Sequence, residues 1–363
     1  MRPPFSAFTL LLAALAIALP AHAQEDWGRE KSDLTAGPQY VASKAMCRAV
    51  EHVEMPARDR PSARVAAGLK GCDSEALYYG EHGAADPVKA RMCASAESDG
   101  GESDSDSDSP AAGPQGGAVF SGRAILMMIY ANGLGVPRDL DLATHLACNI
   151  DGAAAESDGR VHHLAQLKAK GPGKTRFDYC DDVTSGMGEG FCAARDAAMK
   201  DARRKAALDG LAIAPGARTA YAALRTAADV YATQHGDGEV DLSGTARDAI
   251  ATEEEQETKK AFTSQLQAVL AGRVPPASPA QATAADAALN AAYRKLQAHG
   301  EKVQKFGTVT FKDVRDAQRA WLHYRDAFLT FARAQAPGRP VEGLTVALIQ
   351  ARTAILQGLI ADG

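Results

Sequence analysis

Aromatic residues are scarce in this 363-residue chain, at 6%, and runs of alternating β-branched residues are nearly absent. That shortage removes the usual material of sheets and leaves alanine-rich, helix-favouring sequence almost throughout, so an all-α fold is expected. Reactive motifs are missing too. There is no His-Glu-x-x-His, no Gly-x-Ser-x-Gly and no phosphate loop, and the cysteines never fall at the C-x-x-C spacing of zinc or redox sites. The chain is therefore read as a non-enzyme with no cofactor and no metal site. Strong charge of one sign is also lacking. A net charge of -5 and a pI near 6.0 make no field that would hold phosphate backbones or anionic lipid, which excludes a nucleic-acid partner. Past the first two dozen residues no apolar run is read as reaching the about 20 residues that cross a bilayer, so no integral membrane segment is expected.

What is present begins with a leader. Arg2 supplies a short positive region, Phe8 to Leu19 is apolar, and Ala21-His22-Ala23 is a small-x-small cleavage site, so residues 1–23 read as a signal peptide and Gln24 as the mature start. A lipoprotein would carry cysteine directly after the cut, whereas the first cysteine is Cys47. A periplasmic or secreted protein follows.

Six cysteines in an oxidising compartment point to structural disulfides rather than free thiols. Cys180 and Cys192 are the closest in sequence, yet twelve residues of helix would hold them about 18 Å apart, far beyond the roughly 4.4 to 6.8 Å between bridged Cα atoms. The chain must double back, and the glycines in Thr184-Ser185-Gly186-Met187-Gly188-Glu189-Gly190 are read as the bend. A Cys180–Cys192 bridge is expected. Cys47 with Cys72, and Cys93 with Cys148, follow by elimination.

Residues 97–117 contain an alternating Ser/Asp string, Ser103 to Ser109, followed by Pro and Gly. Such a segment cannot bury apolar area and reads as a disordered acidic insertion. On either side of it lies an internal repeat: Gly80, Asp86 and Ala90 recur as Gly133, Asp139 and Ala143 at a constant offset. In each copy a helix should end at the glycine, where a left-handed backbone is needed, and another should open near the aspartate. The second copy reads Ala124-Ile125-Leu126, Tyr130-Ala131-Asn132-Gly133-Leu134-Gly135-Val136, Asp139 and Ala143. It resembles the Sel-one-like repeat, a relative of the tetratricopeptide hairpin. The first copy keeps Leu77, Gly80, Asp86 and Ala90 without the Gly-x-Gly-Val string. Helices around Tyr40 to Val53 and Val161 to Lys170 would cap the pair. Two unrelated hairpins in an alanine-rich bundle is the competing reading.

Further on, Ser278-Pro279-Ala280-Gln281 has the cap, Pro and Gln of a helix start. Val314, Ala317, Trp321, Tyr324, Phe328 and Phe331 form one apolar seam three and four residues apart. Leu289, Tyr293 and Leu296 make a stripe before it, and Leu344, Leu348, Ile355 and Leu359 one after it. Additional helices are expected over Ala220 to Thr233 and Thr252 to Leu270. His235-Gly236-Asp237-Gly238-Glu239 reads as a loop. The adjacent His162 and His163 would diverge by about 100° on a helix and cannot share one metal.

Three strings carry a second resemblance: Asp286-Ala287-Ala288-Leu289-Asn290-Ala291-Ala292-Tyr293, then Ala317-Gln318-Arg319-Ala320-Trp321-Leu322-His323-Tyr324-Arg325-Asp326, then Arg352-Thr353. Together they resemble the LprI-type lysozyme inhibitor family, and Cys180, Thr184, Glu189 and Cys192 resemble its N-terminal cysteine signature. The resemblance implies binding of a protein, with lysozyme-type muramidases as the target. It supplies Asp286, Asn290, Tyr293, Gln318, Trp321, Tyr324 and Arg325 as candidate binding residues. The plainer alternative makes the polar ones structural contacts, including an Arg325–Asp286 pair between helices, and Trp321 core.

The expected organisation is a signal peptide at 1–23, Sel-one-like helical hairpins over 24–172 with the insertion at 97–117, and an antiparallel helical bundle of LprI type over 173–363. The expected function is that of an exported envelope protein acting by protein binding. A periplasmic helical scaffold for envelope complexes is the alternative.

Overall fold

The computed structural model describes residues 26–29, 35–81, 83–99, 122–171, 173, 175–301, 303 and 307–361. The leader and residues 100–117 of the acidic insertion lie outside the described residues. Glu97 and Ser98, expected in that insertion, instead lie in a helix that runs to Asp99.

Among the described residues there are thirteen α-helices and no strand. The N-terminal half contains α1 (Val41–Val50), α2 (Ala63–Ala67), α3 (Ser74–Tyr79), α4 (Pro87–Asp99), α5 (Gly122–Asn132), α6 (Leu140–Cys148) and α7 (Ala154–Lys170). The two hairpins α3/α4 and α5/α6 repeat each other bond for bond. Gly80 and Gly133 both take positive φ, 74° and 64°, where a side chain would be strained. Asp86 N donates to Leu77 O at 2.9 Å, and Asp139 N to Tyr130 O at 3.0 Å. Each aspartate then caps the next helix, Asp86 Oδ1 accepting from Lys89 N at 3.0 Å and Asp139 Oδ1 from Leu142 N at 2.9 Å. The recurring residues thus occupy equivalent turns. Ala90, Ala94, Ile125, Ile129, Leu142 and Leu164 build the core between these helices, and it extends past residue 172 to Phe177 and Tyr179.

The C-terminal half contains α8 (Gly186–Asp209), α9 (Arg218–Gly238), α10 (Arg247–Leu270), α11 (Pro279–Ala298), α12 (Phe311–Gln335) and α13 (Glu342–Ala361). All six residues of the seam from Val314 to Phe331 are buried. They pack α12 on α9, while α8 lies on α10 and α11 on α13. Leu289, Leu296, Leu344, Leu348 and Leu359 join this core, whereas Tyr293 and Ile355 are half-buried. Truncating a residue such as Phe328 there costs about 3 to 5 kcal/mol through lost contacts and the cavity left behind. The helix starts are as their chemistry requires: Ser278 and Gln281 cap α11 reciprocally with Pro279 at its first position, and Thr310 and Asp313 do the same for α12.

Helix α13 is long and apolar enough to cross a membrane by length and composition alone, which corrects the expectation that no such stretch exists. Its buried leucines and the fully buried Arg352 place it in the bundle core.

The cysteines pair as Cys180–Cys192, Cys47–Cys148 and Cys72–Cys93. The pairings reached by elimination, Cys47–Cys72 and Cys93–Cys148, are therefore wrong. Helix α4 runs back beside α3 and brings Cys93 to Cys72, and α6 packs on α1 and brings Cys148 to Cys47. The bridge between Cys180 and Cys192 has a different cause from the one expected. Its bend falls at Val183–Ser185, and Gly186, Gly188 and Gly190 are already helical. Their lack of Cβ serves close approach: a side chain at Gly186 would strike the Thr245 backbone, and one at Gly190 would press on Asp248.

Near the start of α8, Arg195 Nη1 donates to Tyr79 Oη at 2.6 Å and to Asp178 Oδ1 at 3.0 Å, while Tyr79 Oη donates to Asp178 Oδ2 at 2.9 Å. This tie joins the repeat hairpins to the helix that leads into the bundle.

Candidate binding groove

Because α11 packs on α13 and α12 on α9, the facing sides of α11 and α12 stay apart. Between them lies a groove of about 310 Å³ lined by Asp286, Leu289, Asn290 and Tyr293 from α11 and by Arg315, Gln318, Arg319, Leu322 and Arg325 from α12. Each set follows the i, i+3, i+4, i+7 pattern of one helix face and so forms one stripe on its helix. Five of the seven candidate residues meet here. Trp321 and Tyr324 do not: they are 2% and 4% exposed and point into the core. Tyr324 stacks on Tyr231 with centroids 5.5 Å apart and donates to Gln265 Oε1 at 2.9 Å.

The interhelical Arg325–Asp286 pair is not formed. Asp286 Oδ2 accepts from Asn290 Nδ2 at 2.9 Å within α11, and Arg325 Nε donates to Asp326 Oδ1 at 2.9 Å within α12, its guanidinium 5.4 Å over the Trp321 ring. Burial raises the Tyr293 hydroxyl above its ordinary pKa, and the nearby charges of Arg315, Arg319 and Arg352 partly offset this.

Beneath the groove Arg352 anchors its floor. Arg352 Nε donates to Gln318 Oε1 at 2.7 Å, and its two terminal nitrogens grip Glu239 at 2.5 and 2.6 Å. Glu239 in turn accepts from His235 Nδ1 at 2.8 Å, and His235 Nε2 lies 2.9 Å from Glu254 Oε1. The stretch His235 to Glu239, expected as a loop, is the last turn of α9 with its C-cap residue, and both end residues are buried. No local pattern in the chain marks this network, because Glu239 and Arg352 lie 113 positions apart. Arg315, Arg319 and Leu322 were within its reach: they extend the Gln318 to Arg325 stripe at helical spacing.

With a carboxylate at each ring nitrogen, His235 matches a doubly protonated imidazolium. Burial works against that charge, but the hydrogen bonds it donates to Glu239 and Glu254 prevail and hold its pKa above the ordinary value near 6.5. Burial likewise pushes Glu239 up, and the Arg352 charge with the hydrogen bonds from His235 and Arg352 holds it below the usual carboxylate range. A raised imidazole pKa stabilises the fold fully below the unfolded value and loses that contribution as pH rises through the folded one. The urea midpoint of the protein should therefore exceed that of His235→Gln most near about pH 6, with the gap shrinking as pH rises above it. A gap that widens with pH would mean a neutral ring.

Elsewhere, Cys72, Cys93 and Glu97 form a cluster at metal-ligand spacing. Both sulfurs are consumed in a disulfide, and Glu97 accepts from Ser74 N at 3.0 Å. His162 and His163 face different carboxylates, Asp158 and Asp182.

The molecule is a disulfide-bridged, all-α protein with an arginine-rich groove between two late helices. Residues 277–355, which span α11, α12 and most of α13, match the model of the family described as Lysozyme inhibitor LprI. The groove and Arg352 lie wholly within that segment; the Cys180–Cys192 region lies before it. No curated protein and no solved structure matches the chain.

Proposed function

We propose that this protein acts outside the cytoplasm by binding lysozyme-type muramidases and blocking their clefts. The observation that carries the reading is the coincidence of the family-matched segment with the groove, whose lining lies wholly within residues 277–355. Asp286, Asn290, Tyr293, Gln318 and Arg325 are assigned as contact residues, and Trp321 and Tyr324 as the core that holds them in place. Three disulfides suit an oxidising compartment and a rigid inhibitor body. The matched family is described by inhibition of an enzyme, in keeping with a non-catalytic role. The groove is locally cationic although the chain is net negative, with three arginines against one aspartate in its lining.

The chain starting at Gln24 should slow the lysis of cell-wall suspensions by at least one lysozyme class at about micromolar concentration. Absence of any effect across the classes would remove the reading. The equivalent α3/α4 and α5/α6 hairpins favour a second one, in which stacked helical hairpins assemble envelope proteins. Recovery of a discrete host complex from the periplasm, with no muramidase inhibition, would select it.

A further inference from the structure

The α11/α12 groove combines features that together specify a ligand chemistry. Arg315, Arg319 and Arg325 enter it from one helix, with Asn290 and Tyr293 facing them and Gln318 on the floor. The cationic groups are held from outside the lining. Asp316 Oδ1 lies 3.5 Å from both Arg315 Nε and Arg319 Nη1, and Asp326 holds Arg325 at 2.8 Å. Arg315 and Arg319 are held by long contacts and Arg325 by two donors on one carboxylate oxygen, which leaves most of their five donors unspent. Arg315 Nε has Asp316 Oδ1 at 3.5 Å as its charged partner, too long for a good hydrogen bond. Gln318 is turned by its bond to Arg352, which occupies the amide oxygen and leaves the amide nitrogen as a donor. The groove is thus lined mainly by donors in a chain whose overall charge is negative.

We propose that this groove is a receptor for an ionised carboxylate side chain presented by the protein partner. A planar carboxylate takes the paired donors of a guanidinium fork. The single negative charge matters, because Asp286 stands in the same lining and Asp316 and Asp326 stand behind it, and a doubly charged phosphate would be repelled more strongly. The assignment rests on the groove being the contact face, and it deepens that reading by naming the group received. Muramidases themselves work with a pair of carboxyl groups flanking the scissile bond, so a donor-rich groove is chemically complementary to the lip of such a cleft.

The test uses the whole mature chain with a fluorescein-labelled tetraglutamate peptide, and with tetraglutamine as its uncharged counterpart, read by fluorescence anisotropy at low salt. Because the protein carries net negative charge, general attraction cannot draw the acidic peptide to it. Tetraglutamate should bind and tetraglutamine should not. The Arg319→Glu variant, altered at a side chain that is 67% exposed, should weaken binding about tenfold or more while its circular-dichroism melt is unchanged. Propionate, a monocarboxylate, should compete better than inorganic phosphate. Equal binding of the two peptides, unaltered binding by Arg319→Glu, or stronger competition by phosphate would overturn the carboxylate assignment. Carboxylate binding by a protein that inhibits no muramidase would leave this site standing and remove only the proposed target.

Discussion

Replacing Arg352 with alanine should destabilise the C-terminal bundle by about 3 to 5 kcal/mol, the cost of leaving a buried charge without its partner. Arg352 is 0% exposed and Glu239 3%, so neither can turn to water when the other is lost. In the variant Glu239 keeps only the bond from His235, and Gln318 loses the donor that holds its amide. Removing both charges is a different matter. Arg352→Met combined with Glu239→Gln takes away the unpaired carboxylate and should recover much of the loss, since apolar or neutral groups of similar volume often replace a buried ion pair at little cost. Trp321 lies in the same core, so its fluorescence during urea unfolding reports this event directly. A loss below about 1 kcal/mol in the single variant would mean that Glu239 finds water or protonates instead. The groove would then lack the rigid floor described above.

The second large effect concerns the other end of the molecule. Changing Cys47 and Cys148 together to serine opens a loop of 101 residues, for which chain entropy gives a loss of about 4.7 kcal/mol within a measured range of about 2 to 5 for native bridges. The bridge ties α1 to α6, and Trp27 is sealed beside it. Trp27 N donates to Cys148 O at 2.8 Å, and Trp27 Nε1 to Ser43 Oγ at 3.0 Å. Emission from Trp27 should therefore shift to the red in the double variant, while the Trp321 signal, isolated in a Trp27→Phe background, keeps its midpoint. The Cys72–Cys93 bridge, closing 21 residues, should contribute less on the same argument. An unshifted Trp27 would show that packing alone holds α1 in place.

These outcomes divide along the same line as the reading of the chain. Short-range chemistry was legible in most helix starts and apolar seams, but the glycine-rich stretches 186–190 and 235–238, read as bend and loop, belong to helices. Caps at Ser278 with Gln281 need only the next turn of helix, and the seam from Val314 to Phe331 needs only helical periodicity. The paired turns at Gly80 and Gly133 declared themselves because positive φ and an N-terminal aspartate are demands of the backbone itself. Even the Cys180–Cys192 bridge followed from a length constraint, although its glycines proved to serve packing against α10. Five of the seven candidate binding residues line one groove, and the burial of Trp321 and Tyr324 follows from their being on the seam side of α12 rather than its open side.

What the amino-acid sequence determined by itself was therefore most of the helices, their capped starts and which face of each is apolar, since those depend on contacts within a turn or two. Only the tertiary structure decided that α11 rests on α13 while α12 rests on α9, and that choice opens the groove. It also decided the partners of Cys47 and Cys72, and it brought His235 and Glu239 to Arg352 across more than a hundred residues. Pairing at such separation is selected by the joint burial of whole helix faces against the entropy of closing long loops, a balance that no local pattern in the chain records.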